Sequence, residues 1–172
     1  PLLILVIITS AGFTALKSTV TRSAITFQVR NMGINTGGII NGLQAGIKFN
    51  AANLTSSSIE ASVDVNTINT DNSSRDEHLK SEDYFNSTHY PGDAIKSVSF
   101  KHKSGNNYTG QFNLTIKGKT KPVEIPFTCV ENGNTAAFKG NFKLNRLDFG
   151  IGSDSMILSN EVTITIDAEI NK

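Results

Sequence analysis

The residues best able to do chemistry gather in one short stretch, Arg75-Asp76-Glu77-His78-Leu79-Lys80-Ser81-Glu82-Asp83-Tyr84-Phe85, which runs on through His89-Tyr90-Pro91. Its acidic pairs, Asp76/Glu77 and Glu82/Asp83, are the groups general acid–base catalysis uses when one carboxyl holds a proton that its neighbour lacks. More often such residues cap a short helix and pair with local cations, and Arg75, Lys80 and Arg146 are available. The three histidines, His78, His89 and His102, lack the spacing that brings three or four ligands onto a metal. Cys129 is the single cysteine, which excludes an internal disulfide and a cysteine-based zinc site. Its alternation with Val123, Ile125 and Phe127 makes it a small core residue. Gly37-Gly38 and Gly150-x-Gly152 are not phosphate loops, because no strand-to-helix step follows them. Without a nucleophile beside a base, a hydrolase or isomerase built on the acidic stretch is the weakest of three functional readings.

Something must position that stretch. Leu79 and Phe85 give it a short apolar face, and its length suits one or two helical turns. A helix so short does not stand alone in water, so it has to lie against its surroundings, across one end of whatever they enclose. Those surroundings alternate with the period of β-strands. Ile25, Phe27 and Val29 share one parity. Met32 to Gly38 reads as a turn-rich link. Leu43, Ala45, Ile47 and Phe49 follow on one face of a long strand, then Ile59, Ala61, Val63 and Val65. After Pro91-Gly92, Val98 and Phe100 oppose Ser97, Ser99 and Lys101. A turn at Ser104-Gly105-Asn106-Asn107 leads to Tyr108, Gly110, Phe112, Leu114 and Ile116. Beyond the basic turn at 117–121, Val123, Ile125, Phe127 and Cys129 form the next row, with Pro122 and Pro126 marking an edge or a bulge. Ala136, Phe138, Gly140, Phe142 and Leu144 precede the corner Arg146-Leu147-Asp148-Phe149-Gly150, and Val162, Ile164, Ile166, Ala168 and Ile170 close the chain. A buried Arg146–Asp148 corner is expected to hold the helical insertion.

Eight or nine antiparallel strands with rows this long favour a closed barrel over a sandwich, since closure removes exposed edges. The fold class is therefore all-β, an antiparallel barrel of about eight strands with a short helical insertion. Such a barrel is either filled by its own side chains or holds one small ligand. Gly110, Gly140, Ala45, Ala61, Ala136 and Ala168 fall on inward parities, which fits a cavity, and equally fits small residues seated opposite phenylalanines. The rows that would line a pore supply Phe27, Phe49, Val63, Phe100, Phe112, Leu114, Phe127, Phe138 and Phe142, with Phe85 added from the insertion.

The 172 residues suit one domain with a sound core, and the formal net charge of +1, with no basic run, argues against a nucleic-acid partner. Leu2 to Ile8 followed by Thr9-Ser10-Ala11 has the form of a secretory signal, so residues 1–15 read as a signal-peptide remnant ahead of a domain at 16–172. The competing reading is an apolar strand or tail packed on the domain or on a neighbour. Seven apolar residues are too few for a stable transmembrane span.

In order and spacing, three motifs resemble the YceI-like polyisoprenoid-binding proteins. They are Arg75 to Phe85 with Tyr90-Pro91; Gly110-x-Phe112-x-Leu114-Thr115-Ile116-Lys117-Gly118-x-Thr120-Lys121-Pro122-Val123; and Arg146-x-Asp148-Phe149-Gly150-Ile151. Ile25 to Gly33 also fits that family's first clear strand, and the resemblance covers Leu16 to the C-terminus. It implies a lipocalin-like barrel, exported by bacteria to the periplasm or beyond, whose apolar pore holds a long isoprenoid or similar amphiphile. It implies no catalytic residues and no cofactor, apart from an isoprenoid or quinone-like lipid as ligand. Leu16 and Arg22 stand where relatives often carry an aromatic residue and a histidine, and 151–159 is short beside many of them. The first functional reading is thus a non-enzymatic carrier or store. The second is a solid-core module that docks on a protein partner or on its own copy; a homodimer is expected of such barrels, though no particular residue carries it.

Overall fold

The computed structural model describes residues 18–172, so the signal-like stretch 1–15 lies outside the described residues. Nine strands make one antiparallel sheet: β1 Thr19–Asn31, β2 Ile34–Ile40, β3 Gln44–Lys48, β4 Ser58–Asp64, β5 Gly92–Ser104, β6 Asn107–Ile116, β7 Lys119–Asn132, β8 Thr135–Asn145 and β9 Leu158–Asn171. Helix α1, Ser73–Lys80, is the insertion between β4 and β5. The order across the sheet is β2-β1-β9-β8-β7-β6-β5-β4-β3. The sheet curls into a lipocalin-like barrel in which β1 approaches β3. Among the described residues the contact there is a single bridge, with the Ser18 amide donating to the Ala45 carbonyl at 3.0 Å and the Ile47 amide donating to the Ser18 hydroxyl at 3.0 Å.

The period-2 rows fold as their parity demands, because each strand buries one face and leaves the other wet. Tyr108, Phe112, Leu114 and Ile116 on β6 are buried, as are Ile125, Phe127 and Cys129 on β7. Strand β7 pairs with β6 along Lys119 to Thr128, but with β8 only from Phe127 onward. Pro122 and Pro126 therefore occupy the half of β7 that has one neighbour, where a missing amide costs no ladder bond.

Three expectations need correction. The segment Met32 to Gly38 is not a link: the turn is confined to Met32 and Gly33, with φ of 51° and 79°, and β2 begins at Ile34. Gly37 and Gly38 belong to the strand because the backbone comes too close for a side chain. A Cβ on Gly37 would overlap the Phe27 carbonyl oxygen, and one on Gly38 would lie 2.5 Å from that of Asn69. Second, the strand carrying the Leu43 to Phe49 row is short, Gln44–Lys48. Third, Val98 does not share a face with Phe100. The β5–β6 register shifts between Ser97 and Ser99, and this bulge turns Val98 outward, 64% exposed, while Phe100 stays inside.

Candidate functional site

The barrel interior has two parts. Where β5 ends and β6 begins it is solid: Phe49 meets the rings of Tyr108, Phe100, Phe127 and Phe138 edge-on, at centroid distances of 5.0, 5.5, 5.7 and 5.9 Å. Tyr108 stacks on Phe127 at 5.6 Å. Such pairs add to area burial. Gly110 serves this packing, since its missing side chain is replaced by the Phe112 ring.

Towards α1 the interior is hollow. A cavity of about 390 Å³ lies along β9 from Leu158 to Ile170 and along β1 from Ile25 to Asn31. Aliphatic residues from most strands wall it, among them Ile40, Leu43, Ile47, Ala61, Ile95, Ile164 and Ile166, and its volume falls among ordinary small-molecule pockets. Of the residues expected to touch a ligand, Phe27, Val63, Phe85, Phe112, Leu114, Phe127, Phe138 and Phe142 line the cavity. Phe49 and Phe100 are absent from its wall and belong to the aromatic packing beyond it. Most of the aliphatic lining shares the inward parities of its strands; parity could not say how far along the barrel each residue sits.

The insertion covers the hollow end, and its charged residues serve to hold it there. Asn72 caps α1, its Oδ1 accepting from the Arg75 amide at 3.0 Å. Arg75 donates through Nε to the Thr70 hydroxyl at 2.8 Å and through Nη2 to the Thr70 carbonyl at 2.7 Å. Asp76 accepts from the Thr70 amide at 2.9 Å and from its hydroxyl. Glu77 forms an ion pair with Lys80 at 3.0 Å, its own side chain largely in water. The far side is tied to the corner after β8: the Gly152 amide donates to the Asp83 carbonyl at 2.8 Å, and Lys117 Nζ donates to the Glu82 and Gly150 carbonyls at 2.7 and 3.0 Å. Of the two acidic pairs, only the Asp76 carboxylate anchors by its side chain; Glu82 and Asp83 contribute backbone carbonyls, and Glu77 pairs within α1. His78 packs beside the Tyr84 ring, His89 Nδ1 lies 3.0 Å from Asn86 Oδ1, and His102 Nε2 lies 2.9 Å from the Gly105 carbonyl.

Arg146 is buried, but not against Asp148, which is exposed. Its guanidinium donates to the carbonyls of Ile151, Leu158 and Ser159 and to Asn160 Oδ1, at 2.8 to 3.2 Å. The expected Arg146–Asp148 pair gives way because a planar fork of five donors is satisfied by the carbonyls of the returning chain. Asn160 also donates to Asp154 at 3.0 Å, and that bond, the Ser155 amide and the Arg146 charge together hold the Asp154 carboxyl below its ordinary range.

Two titratable groups are shifted upward by burial. Asp93, buried on the cavity wall opposite Val63, is raised by desolvation to about 7, the Lys117 amide at 3.3 Å opposing this in part. Burial and the charge of Glu131 push the Cys129 thiol up to about 11, with Lys172 opposing, so it is a core thiol and not a nucleophile. Nothing in the residue pattern marked Asp93, since it follows Pro91-Gly92 with no apolar row to set its parity.

The family model described as the YceI-like domain matches residues 17–170. A UPF0312 protein of Pectobacterium carotovorum is 28% identical over 152 residues, covering 84% of this chain and 79% of that protein. A UPF0312 protein of Pseudomonas aeruginosa matches to the same extent. Among solved structures, Burkholderia cenocepacia BcnA superposes with a TM-score of 0.81 at 27% identity, covering 86% of this chain and 95% of that one. A polyisoprenoid binding domain from Saccharophagus degradans superposes with a TM-score of 0.70 at 11% identity, covering 90% and 97%, a likeness of fold alone. A chain whose rows, insertion and corner all fall within one matched model, from 17 to 170, belongs to the YceI-like family.

Proposed function

We propose that the protein is a non-enzymatic carrier or store of a single-chain amphiphile, of isoprenoid, quinone-like or fatty type, working in the bacterial periplasm or outside the cell. The observation that carries this is the apolar chamber of about 390 Å³ inside an otherwise well-packed barrel. Solid cores leave few voids larger than a water molecule. A chain entering this one gains roughly 0.8 kcal/mol per buried methylene, so affinity needs hardly any polar contact. The membership in the YceI-like family supports a binding role over an enzymatic one. The printed description of the Saccharophagus domain points to polyisoprenoids as the class to try first. Export rests on the opening apolar stretch.

The test is native mass spectrometry of protein purified gently from its own source, followed by organic extraction. One bound amphiphile per chain is the expected result. Protein that is empty, and that also refuses added prenyl alcohols and fatty acids, would refute the carrier reading.

A further inference from the structure

Four of the most exposed large apolar side chains lie together at one edge of the chamber. Met32 and Ile34, at the tip of the β1–β2 hairpin, are 73% and 69% exposed, and Met156 and Ile157, just before β9, are 106% and 58% exposed. The two segments are joined: the Met32 amide donates to the Ile157 carbonyl at 2.7 Å, and Asn31 opposes Ile34 on one side and Leu158 on the other. A two-residue hairpin turn with positive φ normally takes Asn, Asp or Gly at both positions. Here its first position is a methionine at φ 51°, so a bulky apolar group is held outward at a backbone conformation that disfavours it. The rim is continuous with the chamber, because Asn31, Thr36 and Leu158, the neighbours of these four residues, line it.

We propose that this rim docks on a lipid bilayer, so that a single chain passes between the leaflet and the chamber without crossing water. The inference rests on the carrier reading above. Charge selects the occupant: Arg30 and Asp154 are the exposed ionisable residues beside the tips in sequence and have opposite signs, while the third charge nearby, Arg146, is buried behind them. Such a surface suits a zwitterionic leaflet better than an acidic one. Exposed isoleucines and flexible methionines need no shape-matched partner, only hydrocarbon to enter.

The experiment is flotation of the full chain with phosphatidylcholine vesicles, for the wild type and for the Ile34→Asn, Ile157→Asn double variant. Both positions are exposed and outside the chamber wall. The wild type is expected to float, with little change as salt is raised, and the double variant's partition into the vesicles to fall about a hundredfold, roughly tenfold for each of two aliphatic side chains leaving hydrocarbon. A wild type that stays in the dense fraction, or a double variant that floats equally well, overturns the proposal. So does a wild-type dimer that the double variant loses, which would assign the face to a second copy. Uptake of a fluorescent fatty probe from cyclodextrin is measured alongside and is expected to be equal in both proteins. Failure of that uptake by the wild type counts against the carrier reading, while flotation still reports on the rim.

Discussion

The two ends of the barrel interior are built from the same alternating rows yet come out differently. At the closed end Phe49, Phe100, Tyr108, Phe127 and Phe138 interlock, and the small residue among them, Gly110, is filled by a ring. At the insertion end aliphatic residues predominate, the rings of Phe27, Phe85 and Phe142 stand outside that aromatic cluster, and small residues such as Ala61 line open space. The contrast shows that an inward small residue is neutral on its own. It makes a cavity only where the side chains arriving from across the barrel leave its place unfilled.

The largest effect should come from the closed end. Tyr108→Ala removes a buried ring that faces no cavity, and it should cost about 3–5 kcal/mol in denaturant unfolding. A loss below about 1 kcal/mol would mean that this end is no better filled than the other.

At the hollow end, Asp93 should give the fold a dependence on pH. Its carboxyl holds a proton more tightly in the folded state, with a value raised from 3.8 to about 7. Its contribution is thus most favourable below the unfolded value, is lost as pH rises to about 7, and is level above that. Asp93→Asn keeps an oxygen for the Lys117 amide and removes the titration. Relative to the wild type it should gain roughly 2–3 kcal/mol between pH 5 and pH 8. Parallel stability profiles for the two proteins would remove the case for a proton stored at the chamber wall.

A matched pair sharpens the contrast further. Ala136→Leu overpacks the closed end and should cost about 1–3 kcal/mol, while Ala61→Leu enters open space and should cost less than about 1 kcal/mol. Only the second should displace a chain ligand, read by competition with a fluorescent fatty acid. Equal costs at the two sites would erase the distinction. The smallest effect is expected for Asp148→Ala, whose exposed side chain should change stability by no more than about 0.5 kcal/mol. A large fall in melting temperature would restore the Arg146–Asp148 pair that the structure does not contain.

The barrel was legible because one buried face per strand writes itself as a period of two, and hairpin turns carry their own residues. That signal stops at irregularities. A bulge after Ser97 moved Val98 to the outside, and two glycines that look like a turn proved to lie in β2, a need set by Phe27 and Asn69 from other elements. The candidate site was half legible for a related reason. Parity tells inside from outside but carries no coordinate along the barrel axis, so Phe49 and Phe100 looked the same as Phe27 and Phe142. The carbonyls that hold Arg146 were invisible, since backbone acceptors leave no mark in a residue pattern.

The ties of Lys117 to Glu82 and Gly150 have a consequence in time. They join positions 35 and 33 residues apart, and the turn that carries Lys117 exists only once β6 and β7 have paired. The entropy of closing those loops has to be met before the lysine finds either carbonyl. The insertion is therefore expected to dock after the β6–β7 hairpin has formed and to lift off before that hairpin opens. In amide exchange the Gly152 proton, held by Asp83, should be released with the insertion while the β6–β7 ladder stays protected.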